Sequence, residues 1–217
     1  YIQVSCLEKG SEIWDAIDDE KMKPYFQPIE MEESCSIHFY SKKGETTSPL
    51  QTASFTKLPA DRKIILHNEY SKSYNAGGAN GLIDGIYGKL NWRAGDWQGY
   101  QGQDIEVVMA FEQPREIKSM AANFLEDQNS WIFYPKEVLF YTSNDSLNWT
   151  LIDRIVTHKS DHDETTSISK FESVVRNIKK QTYKYAKVKA IHFGPMPEWH
   201  EGKGNPTYIF IDEFEVH

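Results

Sequence analysis

The sequence is short of cysteine, of clustered basic residues and of long apolar runs, and each shortage removes a class of protein. Only two cysteines, Cys6 and Cys35, occur in 217 residues. That is too few for a disulfide-built scaffold, and no companion Cys or His stands at ligand spacing for a zinc site. Two thiols suffice for one bridge, and the sequence leaves open whether these two approach closely enough to form it. No apolar run approaches membrane-spanning length and no signal-peptide segment leads the chain, which begins at Tyr1. It reads as a soluble piece of a longer protein, without membrane insertion. The formal net charge is −8, with the acidic excess spread along the chain. No Lys/Arg block is interleaved with aromatics, so nucleic acid is not an expected partner, and the short runs Lys42–Lys43 and Lys179–Lys180 read as solvated edges or loops. The segment GGANG lacks a following Lys-Ser/Thr and opens no helix, which excludes a phosphate loop.

What the chain has is large rings and short apolar alternations. Aromatics reach 13%, with six Trp and twelve Tyr. Such rings build core economically, and they also stack on the C–H faces of sugars. In residues 12–23 (EIWDAIDDEKMK), Ile13, Ala16 and Ile17 stand at helical spacing until Pro24 stops the pattern. Strand-like runs follow at 36–40 (SIHFY) and 53–58, around the turn-rich KKGETTSP. From residue 63 the signal is β throughout. KIILHN opens it, and Ile105, Val107, Met109 and Phe111 alternate along DIEVVMAF, with Pro114 closing the strand. Residues 138–143, 149–156, 186–193 and 208–216 complete the set. Seven or eight short strands without strand–helix alternation predict an all-β fold, an antiparallel β-sandwich. Phe171, Val174, Val175 and Ile178 have helical spacing, but FESVV lies among strands and is read as strand. Two units are expected, a small partial β unit over 1–60 and the sandwich over 61–217.

Four motifs carry a resemblance. The stretch GGANGLIDGIYGKLNWRAGDWQGYQGQD, with an Asp-Gly, a short loop and then a Trp, resembles the opening of discoidin (coagulation-factor type C, galactose-binding-like) domains. DIEVVMAF with EQPREI, EVLFYTSNDSLNWTLI and the closing YIFIDEFEVH are similar to later passages of the same family. More narrowly, IILHNEYSKSYNAGG, NWRAGDWQGYQGQD, SWIFYPKEV and PEWHEGKGNPTYIFIDE, in that order over residues 62–217, resemble the C-terminal module of β-hexosaminidases (chitobiase-like glycoside hydrolases) of Bacteroidetes. Residues 34–60 resemble the immunoglobulin-like β segment that often precedes this module, although KKGETTSPLQTASF replaces its usual threonine-aspartate-glycine turn.

The resemblance implies a jelly-roll sandwich serving as a non-catalytic accessory module of a β-N-acetylhexosaminidase-like glycosidase, periplasmic, surface-bound or secreted. Catalysis in such proteins belongs to a separate barrel with an adjacent Asp-Glu pair, and no barrel is present here. The expected partners are an amino-sugar or galactose-containing glycan and the catalytic barrel of the parent enzyme. The alternative is a docking or dimerisation module that binds no sugar.

The ligand-binding candidates are Arg93, Asp96, Trp97 and Tyr100 in the glycine-punctuated loop 91–102, with Trp131, Trp199 and His200 from two other loops. Rings would stack on a sugar while Arg93 and Asp96 bond its hydroxyls. The competing role for these rings is to cap the core or dock the module, and Trp92 and Trp149 are assigned to the core. The resemblance also implies a structural calcium on Asp84 and Glu213, with carbonyls near Ala79–Asn80 and Lys89. Here Ile86-Tyr87-Gly88-Lys89 stands where the family loop supplies an Asn and a Thr. His158 and His162 would share a helix face suited to a metal, but their wholly polar surroundings indicate a solvated loop. Asn148-Trp149-Thr150 is a formal glycosylation sequon.

Overall fold

A computed structural model describes residues 1–157, 162–174 and 181–217. The chain divides into two compact units, Tyr1–Lys57 and Leu58–His217.

The first unit is one antiparallel sheet of β1 (Glu12–Ile17), β2 (Lys23–Pro24), β3 (Cys35–Lys43), β4 (Thr46–Thr47) and β5 (Gln51–Phe55). Where the spacing over 12–23 reads as helical, Glu12–Ile17 form a strand and a turn leads to Lys23–Pro24. Ile13 and Ile17 are four apart, a spacing that also satisfies a period of two, and six-residue pairing with β3 supplies partners that an isolated short helix lacks. Cys6 and Cys35 are both free thiols.

The second unit is a sandwich of two antiparallel sheets. Its strands are β6 (Arg62–Leu66), β7 (Gln98–Gln101), β8 (Ile105–Glu116), β9 (Ser119–Glu126), β10 (Glu137–Ser143), β11 (Thr150–Val156), β12 (Ser167–Val174), β13 (Thr182–Ile191) and β14 (Tyr208–Val216). One sheet has the order β11-β10-β13-β8-β6 and the other β12-β9-β14-β7. Val107, Met109, Phe140 and Val188 from the first meet Met120, Phe124, Ile211 and Phe214 from the second, each at most 1% exposed. The FESVV segment is a strand as far as Val174, and Val175 and Ile178 lie outside the described residues.

Pro114 does not end its strand. It falls where the β8–β13 register shifts, between Tyr185↔Ala110 and Tyr183↔Arg115, at a bulge that needs no N–H from it. Trp149 is half-buried rather than core: Lys187 Nζ lies 4.3 Å from its ring centroid and 4.8 Å from that of Tyr141. No helix among the described residues is long and apolar enough to cross a membrane.

Candidate functional site

Residues 84–97 lie over the outer face of the four-stranded sheet and turn that face into a second, smaller core. Leu125, Ile132, Phe210 and Trp97 form it, with Tyr74, Trp92 and Tyr208 packed alongside. Backbone groups of the loop are tied down one by one. The Gly85 N–H donates to Glu213 Oε1 at 2.6 Å, the Gly88 N–H to Asp212 Oδ2 at 2.7 Å, and the Trp97 indole N–H to the Lys89 carbonyl at 2.9 Å. Gly88 lies against the indole so closely that a Cβ there would fall 2.2 Å from Trp97 Cε2.

This packing moves two ring candidates out of a ligand's reach. Trp97 and Tyr100 are each 1% exposed, Trp97 in the second core and Tyr100 in the main one. The Tyr100 hydroxyl donates to Gln98 Oε1 at 2.8 Å, and burial pushes its phenol above the usual range. Arg93 stays exposed, its guanidinium 3.8 Å from the Trp92 ring centroid, and Asp96 is half-buried on the same loop. Trp92 is itself half-buried, with its indole N–H donating to Asp127 Oδ2 at 3.0 Å.

Asp127 links this loop to a second aromatic group. It caps the turn 127–131, accepting from the Ser130 N–H, and the turn ends on Trp131 at φ 70°. A bulky residue in the left-handed region is strained, and such strain collects at functional sites. Trp131 is half-buried, edge-on to His200 with centroids 6.2 Å apart, and Gly202 packs against it.

His200 is 7% exposed and fully engaged. Its Nδ1 accepts the Gly202 N–H at 2.9 Å, and its Nε2–H donates to the Gln128 carbonyl at 2.8 Å, which defines a neutral tautomer. His192 repeats the device, accepting from the Gly194 N–H at 3.0 Å and donating to the Thr207 carbonyl at 2.9 Å. His200 therefore braces the loop that carries Trp199. Trp199 is 41% exposed, and the ring of His162 stacks on it with centroids 4.3 Å apart and an interplanar angle of 23°. The chain thus brings Arg93, Trp131 and Trp199 to loops connected through the 127–131 turn, and adds His162, which sequence reasoning placed in a solvated loop. His158 lies outside the described residues.

Asp84 and Glu213 do come together, although 129 positions apart in the chain. Burial pushes the Glu213 carboxyl up to about 8, with the adjacent Asp84 carboxyl adding to the shift and the Gly85 N–H opposing it. Burial likewise raises Asp212 to about 6, against hydrogen bonds from the Gly88 and Glu213 N–H groups and Asn123. Two facing carboxylates are the right kind of donor for a hard cation. They are short of the six to eight oxygens that calcium takes, and Asp84 Oδ1 already accepts the Ile86 N–H at 2.8 Å. The nominated carbonyls of Asn80 and Lys89 also accept protein donors, the Ile83 N–H and the Trp97 indole.

Both folded-state values lie above those of the unfolded chain, so the folded form retains protons that the unfolded form has released. Without divalent cations, the melting temperature is expected to fall as pH rises from about 4.5 to about 8. Glu213→Gln is expected to flatten much of that slope. A wild-type slope that stays flat in chelator would remove the argument.

No protein-family model matches the chain, and no curated protein matches it. Solved structures do. The C-terminal domain of a chitobiase from Bacteroides fragilis is 21% identical over 73% of this chain and 93% of that one, with a TM-score of 0.42. The family 32 carbohydrate-binding module from Streptococcus pneumoniae EndoD is 12% identical over 71% of this chain and 94% of its own, at a TM-score of 0.45. CpGH89CBM32-5 from Clostridium perfringens, solved in complex with GalNAc-β-1,3-galactose, is 17% identical over 71% and 94%, at 0.40.

Proposed function

We propose that the second unit is a non-catalytic, glycan-binding accessory module of a β-N-acetylhexosaminidase-like glycoside hydrolase that works outside the cytoplasm. The observation that carries this reading is the exposed Trp199, braced from behind by His200 and neighboured by the strained Trp131. An indole held in place this way, with His162 stacked on one face, offers its remaining exposed surface, preorganised, to the C–H side of a pyranose. His162 and the exposed carboxylates Glu164 and Glu198 supply polar groups for hydroxyls around it. The adjacent acids Asp212 and Glu213 are no hydrolytic pair in this reading. They are 0% and 4% exposed, and both are spent on loop backbone.

A shallow seat of this kind desolvates few polar groups, so dissociation constants of roughly 0.1 to 10 mM are expected, about −3 to −5.5 kcal/mol. An amino-sugar or galactose-containing glycan is the proposed ligand. A glycan-array screen of the chain tests the reading, and saturable binding to a defined sugar supports it.

Calcium belongs to the same proposal, on Asp84 and Glu213, pinning loop 84–97 rather than touching sugar. Because it takes the ionised carboxylates, its stabilisation should grow with pH, offsetting the decline expected in chelator. At a hundredfold excess over its dissociation constant it would contribute about 2.7 kcal/mol. Equal melting temperatures in calcium and in chelator at pH 8 would exclude it.

One observation favours a second reading, a module docked on the catalytic barrel of its parent enzyme. Ile86, Tyr87 and Leu90 on loop 84–90 are 49%, 52% and 55% exposed, an apolar group of the kind that marks interaction surfaces. Silence of the folded chain across the array would favour it.

A further inference from the structure

The first unit contains a pocket of about 770 Å3 whose lining includes Asp15, Ile17, Lys23, Phe26, Ile29 and Glu30. Strand alternation places Asp15 on the same sheet face as Ile13 and Ile17, directly across from Phe39 on β3 and Lys23 on β2. That is the side of β1 where an apolar residue is expected. Asp15 is 3% exposed, and among the described residues it has no hydrogen-bond or ion-pair partner. A carboxylate so nearly buried, with no protein partner, faces the pocket it lines, and a cation entering there would supply the counter-charge it lacks.

The other charges of the pocket are already committed. Lys23, the cation nearest in register, places its Nζ 3.1 Å from Glu20, and Glu30 accepts the Tyr1 hydroxyl at 2.8 Å. Ile17, Ile29 and the prolines Pro24 and Pro28 provide apolar wall. Phe26 lines the same space while 88% exposed, so its ring is free to cover an occupant. An anion within, apolar walls and an uncommitted aromatic ring together suit a positively charged nitrogen on an aliphatic stem, which pairs with carboxylate and lies favourably against a π face.

We propose that this pocket binds an alkylammonium or alkylguanidinium group, held by Asp15 and covered by Phe26. The group could be that of a free amine or of a Lys or Arg side chain, and the arms of the test separate the two. Amide signals of the isotopically labelled full chain would be followed by NMR during titration with n-butylamine hydrochloride, with n-butanol as its uncharged counterpart, and with a short Lys-containing peptide. Saturable shifts at Asp15, Ile17 and Phe26 are expected with the amine and not with the alcohol.

Asp15→Asn, which preserves shape, should weaken amine binding at least tenfold. Phe26→Ala, at an exposed position that leaves the sheet intact, should weaken it severalfold. Tighter binding of the peptide than of the amine would assign the pocket to a partner's side chain, and equal binding would assign it to a small amine. The proposal is overturned if neither amine nor peptide gives saturable shifts, if the alcohol binds as well as the amine, or if Asp15→Asn binds as the wild type does.

Discussion

Trp97→Ala is expected to lower the melting temperature of the second unit by about 10 °C, while leaving the surface around Trp199 chemically unchanged. Trp97 is the largest side chain of the second core, 1% exposed, packed with Leu125, Ile132 and Phe210. Removing a buried aromatic costs roughly 3–5 kcal/mol in lost transfer energy and residual cavity. For a domain of this size each kcal/mol moves the midpoint by about 2–4 °C. Collapse around the vacancy is limited, because Gly88 has no side chain to fill it and its backbone is tied to Asp212. The indole also donates to the Lys89 carbonyl, so its loss frees part of the loop from the sheet. Thermal unfolding followed by circular dichroism checks this. A midpoint shift below about 2 °C would mean that Trp97 is not the keystone its burial indicates.

The same residue illustrates what a sequence does and does not disclose. Loop 91–102 is rich in glycine and aromatics, a composition that serves a sugar-binding rim and a folded-down lid equally well. What distinguishes them is the outer face of β9 and β14, where Leu125 and Phe210 need cover. That need was hidden because β9 is buried almost throughout and therefore shows no polar–apolar alternation. DIEVVMAF, with one face on the main core, displayed its alternation plainly, as did most of the sandwich.

The Asp84–Glu213 encounter followed from motif resemblance and the chain does bring the two together, whereas no local pattern could place Asp212 under Gly88. His162 was legible only as part of a polar stretch. Its stacking on Trp199 joins two loops far apart in sequence. One available signal went unread: His192-Phe193-Gly194 and His200-Glu201-Gly202 share a spacing in which the imidazole accepts the glycine N–H, marking both histidines as braces. In the first unit, Ile13 and Ile17 fit two periodicities at once, while Ala16 fits only the helical one, and pairing with β3 decided for the strand.

The reading of Trp199 as the sugar seat carries the second large effect. Once the array has supplied a ligand, affinity should be measured for the wild type and for Trp199→Ala by titration calorimetry or NMR. A stacked ring contributes most of what a shallow site has, so a loss of tenfold or more is expected, about 1.4 kcal/mol or beyond. The melting temperature should change little, since Trp199 is 41% exposed and His200 keeps its own hydrogen bonds. Undiminished sugar binding in Trp199→Ala, with the fold intact, would contradict the account and remove the glycan from this end of the sandwich.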